Sequence, residues 1–314
     1  MSAAHEFDEA WLAGPDGHKF YTRTYKAADV PQAVILFIHG FAEHIARYEH
    51  AHRDWADRGF TVFTYDQRGF GRTALDAEHH SKDSAYGKTR FSNQMRDIEW
   101  WTRRLKEEQS KLPLFLVGQS MGGQLALAFP TSGRKSAIKE AREHDLGSNC
   151  IQSASPCKPS LLPSYFRWVG EKAAFVLPWM PFPAEVHAEN LSHDPAVNDA
   201  VSKDPLFKER GTLRGLADML GAGEQLLWDD YRNWPKNLPV LILHGTDDKV
   251  TSCTASEEFF NKLGAEDKKL SLYPDAYHEL SNEPNGVKEK FIDECISWVQ
   301  AHLPRPGDAP MSKL

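Results

Sequence analysis

The chain has 314 residues, 41 % of them apolar and 26 % charged, with 37 Lys and Arg against 44 Asp and Glu for a formal net charge of -7. That is ordinary globular composition, long enough for one large α/β domain with an insertion, and it lacks the positive field that a phosphate backbone demands, so nucleic acid is not an expected partner. No stretch approaches the ~20 apolar residues of a spanning helix, the residues before Asp8 include His5 and Glu6 where a secretory signal would be basic and then apolar, and four cysteines without a Cys-x-x-Cys pair suit a reducing compartment.

Pro15-Asp16-Gly17 is turn chemistry, and residues 19–25 alternate Phe20, Thr22, Thr24 against Tyr21, Arg23, Tyr25, so an antiparallel hairpin is expected to open the fold. Continuous apolar runs at 33–38, 61–65, 114–117, 240–243 and 270–273 read as strands buried on both faces. Between them, Phe91, Met95, Ile98, Trp101 and Leu105 fall on one helical stripe, as do Val287, Phe291, Ile292, Cys295, Ile296 and Val299. Alternating strands and helices predict an α/β fold with a mostly parallel central sheet and helices on both faces. The rhythm breaks at 155–234. Its residues 159–183 crowd Leu161, Leu162, Phe166, Trp168, Phe175 and Trp179 among five prolines, which predicts an inserted, mainly helical cap whose side chains either expose or cover an apolar surface or form a core of the insertion's own. Residues 1–154 and 235–303 would then make the core domain and 304–314 a flexible tail. The charged segment 133–145 reads as a solvated excursion.

Gly118-Gln119-Ser120-Met121-Gly122 lies between a predicted strand and the helix-forming run Gln124-Leu125-Ala126-Leu127-Ala128. Glycines on both sides of a serine permit the sharp strand-to-helix turn that lifts its hydroxyl above a sheet. A serine needs a histidine to take its proton and a carboxylate to orient that histidine. Asp247 and Asp248 follow the 240–243 strand, and His278 follows the 270–273 strand with Asp275 beside it. All stand where open α/β sheets assemble their sites, in loops at the carboxyl ends of strands. Ser120, Asp248 and His278 form the expected set; Asp247 competes for the acid role and Asp275 is a third choice. His39-Gly40-Phe41 ends the 33–38 strand, so the backbone N–H groups of Phe41 and Met121 are the expected oxyanion donors. His50, His52, His79 and His80 read as solvated surface residues, and no metal or other cofactor is expected. In Asp66-Gln67-Arg68-Gly69-Phe70-Gly71 a third glycine is missing at Ala74, so Asp66 and Arg68 are expected to brace loops and not to bind a dinucleotide.

Five motifs taken together, namely residues 39–44, 66–71, 118–123, 244–248 and 273–278, resemble those of the monoacylglycerol lipases of the α/β-hydrolase fold, the fungal members above all. The resemblance implies a serine esterase releasing fatty acid and glycerol, with Ser120 as nucleophile, Asp248 as triad acid in preference to Asp247, His278 as base, Phe41 and Met121 at the oxyanion hole, and Glu43 and Arg47 near the glycerol end. It further implies an acyl chain held by the cap, here Leu161, Leu162, Phe166 and Trp179, and peripheral contact of the cap with a lipid surface. Gln119, where many relatives have histidine, and Ser281, where some have a polar ring residue, depart from the pattern. A broader carboxylesterase or lysophospholipase, and a non-enzymatic hydrolase-fold binding protein, are the alternatives. Ser312-Lys313-Leu314 has the form of a peroxisomal signal, so the expected location is either the peroxisome or cytoplasm with lipid-droplet or membrane association.

Overall fold

Six apolar residues in a row can be satisfied only where both faces of a strand are covered, and the run at 33–38 is the inner strand of such a sheet. A computed structural model of the chain describes residues 7–131, 150–153, 172–184 and 186–304. Strands β1 (Asp8–Ala13), β2 (Lys19–Tyr25), β3 (Ala33–Ile38), β4 (Phe60–Tyr65), β5 (Leu114–Gln119), β6 (Cys150–Ser153), β9 (Val240–Gly245) and β10 (Lys268–Tyr273) form one sheet in the order β1-β2-β4-β3-β5-β6-β9-β10. The first three pair antiparallel and every other pair is parallel. The predicted opening hairpin is β1 and β2, turning through Asp16 and Gly17, both at positive φ.

Helices α1 (Glu49–Asp57), α2 (Gly71–Leu75), α3 (Phe91–Glu108), α4 (Met121–Thr131), α5 (Pro195–Lys203), α6 (Leu213–Trp228), α7 (Cys253–Lys262) and α8 (Val287–Ala301) complete the described elements. Two apolar cores form. One holds Leu36, Ile38, Trp101, Leu125 and Ile242 with the α3 stripe; the other holds Ile35, Phe115, Leu241, Leu243 and the α8 stripe. Successive residues of β3 feed opposite cores, as the two-residue strand period requires. Among the described residues no helix is long and apolar enough to cross a membrane.

Three differences from the sequence reading have physical causes. Strand β6 was not expected: Cys150-Ile151-Gln152-Ser153 is too short and too polar to announce itself, and it owes its place to ladders with β5 on one side and β9 on the other. His52 is not a surface residue but 2 % exposed, because it falls on the same face of α1 as Ala51, Trp55 and Ala56. Its ring packs against Phe37 and Tyr25 at 4.7 and 5.1 Å, and burial pushes the imidazole down to about 3, so it behaves as a neutral core aromatic. Within 155–234, the described residues include a small ribbon, β7 (Pro181–Pro183) with β8 (Arg210–Thr212), as well as helices, and Leu226, Leu227 and Trp234 are buried in the same core as Trp101. Leu161, Leu162, Phe166, the 133–145 excursion and the tail from 305 lie outside the described residues.

Candidate active site

Ser120 sits between the end of β5 and the start of α4 with φ +54, a left-handed conformation that non-glycine residues rarely hold. Its neighbours explain how the turn closes. A Cβ on Gly122 would lie 2.1 Å from the Ile38 carbonyl oxygen, and one on Gly118 would lie 2.3 Å from that of Gly122. Only glycine lets α4 start this close to β3 and β5. The helix start leaves its first N–H groups, Met121 included, without partners inside the helix, beside the half-buried Ser120.

At the ends of β9 and β10 a second arrangement meets the first. His278 Nδ1 lies 2.8 Å from Asp248 Oδ2. A carboxylate only accepts, so Nδ1 carries the proton of the neutral ring and Nε2 is left as the basic nitrogen. Asp248 itself receives backbone N–H groups from Val250 (2.7 Å) and Thr251 (2.8 Å) on Oδ1, and the Thr251 hydroxyl (2.7 Å) and His244 Nε2 (3.0 Å) on Oδ2 beside His278. Ser256 at 2.8 Å from His244 Nδ1 completes this set by donating its hydroxyl proton to the other ring nitrogen. Burial alone would raise the Asp248 carboxyl, but His278, His244 and these donors outweigh it and hold it well below the usual carboxylate range. Burial alone would likewise depress His278; the facing Asp248 charge and hydrogen bond outweigh it, and the imidazole is raised above its ordinary value. The competing acids are elsewhere: Asp247 and Asp275 are exposed. Gln119, the residue before Ser120, donates from Nε2 to the His278 carbonyl at 3.2 Å, joining the serine turn to the histidine loop.

The third loop is residues 39–44. A Cβ on Gly40 would stand 3.0 Å from the Ser120 Cβ, so this turn and the serine are in contact. His39 Nε2 accepts the Gln67 N–H at 2.8 Å, so the ring proton is on Nδ1, which faces the Gly40 carbonyl at 2.8 Å; burial keeps this imidazole neutral, down to about 3. Gly40 N–H donates to Glu43 Oε2 at 3.0 Å, and Ala42 is held at φ +62. Glu43 also takes the Tyr48 hydroxyl and lies 3.2 Å from Arg47, whose guanidinium reaches both Glu279 oxygens at 2.8 Å. Burial pushes the Glu43 carboxyl up. Burial works the same way on Glu279, but Arg47 and the Asn282 amide outweigh it and hold that carboxyl down. Glu43 and Arg47 thus turn their charged ends on one another and on Glu279, behind the Gly40 turn. Asp66 accepts from the Ile45 and Arg72 N–H groups, and Arg68 pairs with Asp97 and Asp16, the bracing expected of that motif.

Sequence reasoning missed His244, Thr251, Ser256 and Glu279. The signal for His244 was its place four residues before Asp248 at the end of a strand, and for Glu279 its adjacency to His278.

Residues 29–285 match the Hydrolase_4 family, described as "Serine aminopeptidase, S33". The chain is 32 % identical over 296 residues to the "Putative monoglyceride lipase" of Schizosaccharomyces pombe, spanning 93 % of this chain and 74 % of that one. It belongs to the Hydrolase_4 family. This α/β-hydrolase is also 26 % identical to the monoacylglycerol lipase of Mycolicibacterium smegmatis, over 93 % of its own length and 96 % of the relative's. Its fold matches the crystal structure of a soluble variant of the Saccharomyces cerevisiae monoglyceride lipase, solved with a substrate analog, at TM-score 0.77, with 23 % identity and 97 % of each chain covered. Membership of this family and the resemblance of the five motifs agree.

Proposed function

We propose that this α/β-hydrolase cleaves the ester of monoacylglycerols to fatty acid and glycerol through an acyl-enzyme. The observation that carries the mechanism is the Asp248–His278 hydrogen bond of 2.8 Å at the ends of β9 and β10, in a loop that Gln119 ties to the Ser120 turn. Its relatives named as monoglyceride or monoacylglycerol lipases support the substrate.

His278 Nε2 takes the Ser120 hydroxyl proton while Oγ bonds to the ester carbonyl carbon. The oxyanion accepts the Phe41 and Met121 N–H groups. As the carbonyl re-forms, the bond to the glycerol oxygen breaks and that oxygen receives the proton from His278. Water then attacks the acyl group, again losing a proton to His278, and the fatty acid leaves as Ser120 is reprotonated. Asp248 stays ionised throughout and stabilises the imidazolium. The glycerol end lies toward Arg47, which lines a cleft with His44, Val197, Val201 and Asn282. The acyl chain extends under the inserted segment toward Trp179.

We extend the reading to a lipid surface. Phe175, Val176, Leu177, Met180 and Phe182 form one sequence-local group of exposed apolar side chains, and Arg90 and Lys88 lie at 4.7 and 5.5 Å from the Trp179 ring centroid. Apolar side chains over a basic rim are what an anionic bilayer surface recognises.

The deciding experiment is Ser120→Ala, assayed on mono-, di- and triacylglycerols. Turnover of monoacylglycerol is expected to fall by roughly 10⁴-fold or more, with labelling by a fluorophosphonate probe abolished and the melting temperature kept. Undiminished hydrolysis by this variant ends the proposal.

A further inference from the structure

The outer side of the 39–44 turn is held by residues 204–211 of the inserted segment, through three different kinds of contact. His44 Nε2 lies 2.6 Å from Asp204 Oδ2. The Phe41 ring packs so closely on Gly211 that a Cβ there would lie 3.1 Å from it. Between these two, the Tyr86 hydroxyl stands at the meeting point of the Ala42 carbonyl (3.1 Å), the Lys208 carbonyl (3.1 Å) and the Lys208 N–H, which it accepts at 2.9 Å. Tyr86 is itself fixed. Its ring meets Phe70 edge-on at 5.7 Å, and Phe70 meets Phe41 in the same way at 5.4 Å. The following Gly87 bonds to the Gly69 carbonyl at 2.7 Å, receives the Thr212 hydroxyl at 2.8 Å, and approaches Gly211 so nearly that a Cβ would stand 2.8 Å from its backbone.

A phenol has one proton and Tyr86 has two carbonyls at equal distance, one in the core turn and one in the insertion. Burial pushes this phenol up, so the proton stays available to them at any working pH. Ala42 is the positive-φ residue that directly follows Phe41, and the peptide carrying its carbonyl lies on the far side of that residue from the peptide carrying the Phe41 N–H. A hydrogen bond on the Ala42 carbonyl therefore acts on the aim of the Phe41 amide through a strained, over-determined backbone.

We infer that Tyr86 is a positioning residue for the oxyanion hole, carrying the seating of residues 204–211 to the Phe41 amide. The inference rests on the proposed role of Phe41 in ester hydrolysis. Tyr86 touches neither substrate nor reacting atoms on this account. It acts only through Ala42, so its effect belongs to the transition state and not to ground-state binding.

Tyr86→Phe removes the hydroxyl and keeps the ring ladder. Deleting a whole oxyanion donor costs about 10²–10³ in kcat, so a misaimed one is expected to cost about tenfold. On a monoacylglycerol in detergent micelles, kcat should fall by about that factor with KM within twofold. The Ki of a long-chain trifluoromethyl ketone, whose serine adduct carries the oxyanion, should rise in proportion. A structural role that merely lowered the folded fraction would reduce kcat and leave Ki alone. An unchanged Ki in a folded variant overturns the inference. If Tyr86→Phe does not fold, Asp204→Asn loosens the same segment from the other end of the turn, and its Ki decides by the same criterion. Ser120→Ala run alongside separates the two readings: an active Ser120→Ala sinks the esterase mechanism itself, whereas an inactive one with a normal Tyr86→Phe Ki sinks only the role of Tyr86.

Discussion

Five donors converge on one carboxylate at Asp248, and their number decides its behaviour. A buried acid with a single partner drifts toward neutrality, because desolvation costs more than one hydrogen bond returns. Two backbone amides, a threonine hydroxyl and two imidazoles reverse that balance, and the acid stays charged. The charge in turn raises His278, which must be neutral to act as a base. Hence kcat/KM is expected to rise with pH through a midpoint above the ordinary histidine value of about 6.5. Asp248→Asn keeps the shape but removes the largest of the influences that raise His278, leaving only the Glu279 and Glu43 charges to oppose burial. Its midpoint should move below that of the parent protein and kcat should fall by roughly 10⁴-fold, both readable from one pH–rate series; a midpoint that stays put would show that Asp248 is not what raises it. Stability follows the same signs. The raised histidine stabilises the fold most below its unfolded pKa and loses that contribution as pH rises through its folded one; the lowered Asp248 stabilises above its unfolded pKa and loses its share as pH falls. Both contributions are whole only between about pH 4 and pH 6.5.

At the scale of elements, the serine turn is a steric construction. The Gly122 hydrogen is all that fits against the Ile38 and His39 carbonyl oxygens, at 2.1 and 2.5 Å from a would-be Cβ. Gly122→Ala must push α4 off β3 and with it the Ser120 backbone. A loss of at least 1–3 kcal/mol in unfolding free energy, measured in urea, and near-complete loss of turnover are expected. Gly264→Ala is the control, because nothing lies within 4 Å of its Cβ and its φ is ordinary; it should stay within about 0.5 kcal/mol of the parent protein. Elements of this kind were legible in the sequence because their physics is local. Flanking glycines, a continuous apolar strand and the α3 stripe each require only neighbouring residues. What stayed illegible depends on partners that no local pattern names: β6 exists because β5 and β9 flank it, His244 matters because Ser256 and Asp248 hold its two nitrogens, and the ion pair that fixes the Arg47 guanidinium is made with Glu279, more than 200 residues on. Asp247 and Asp248 could not be separated by spacing, since a shift of one residue around a loop costs little; facing His278 is what separates them.

For the molecule as a whole, the proposed lipid-surface contact assigns one task to the sheet and another to residues 172–184. The carboxyl ends of β3, β5, β9 and β10 gather four loops, while residues 172–184 bear apolar side chains that gain nothing from water: Phe175 is 81 % exposed and Val176 72 %. Burying a side chain of this size in a bilayer is worth about 1.5–3 kcal/mol, so losing two should weaken partitioning by about two to four powers of ten. The double variant Phe175→Asp with Val176→Asp is therefore expected to lose cosedimentation with vesicles of phosphatidylcholine and phosphatidylserine, and to slow on monoacylglycerol presented in those vesicles while keeping its rate on a short, water-soluble ester. Because Arg90 and Lys88 sit beside Trp179, the parent protein should bind anionic vesicles more tightly than neutral ones, and the difference should shrink with added salt as screening sets in. Binding that survives both aspartates with its salt dependence intact would move the contact from the apolar group to the basic side chains alone, and equal slowing on both substrates would show that these residues serve the pocket and not the membrane.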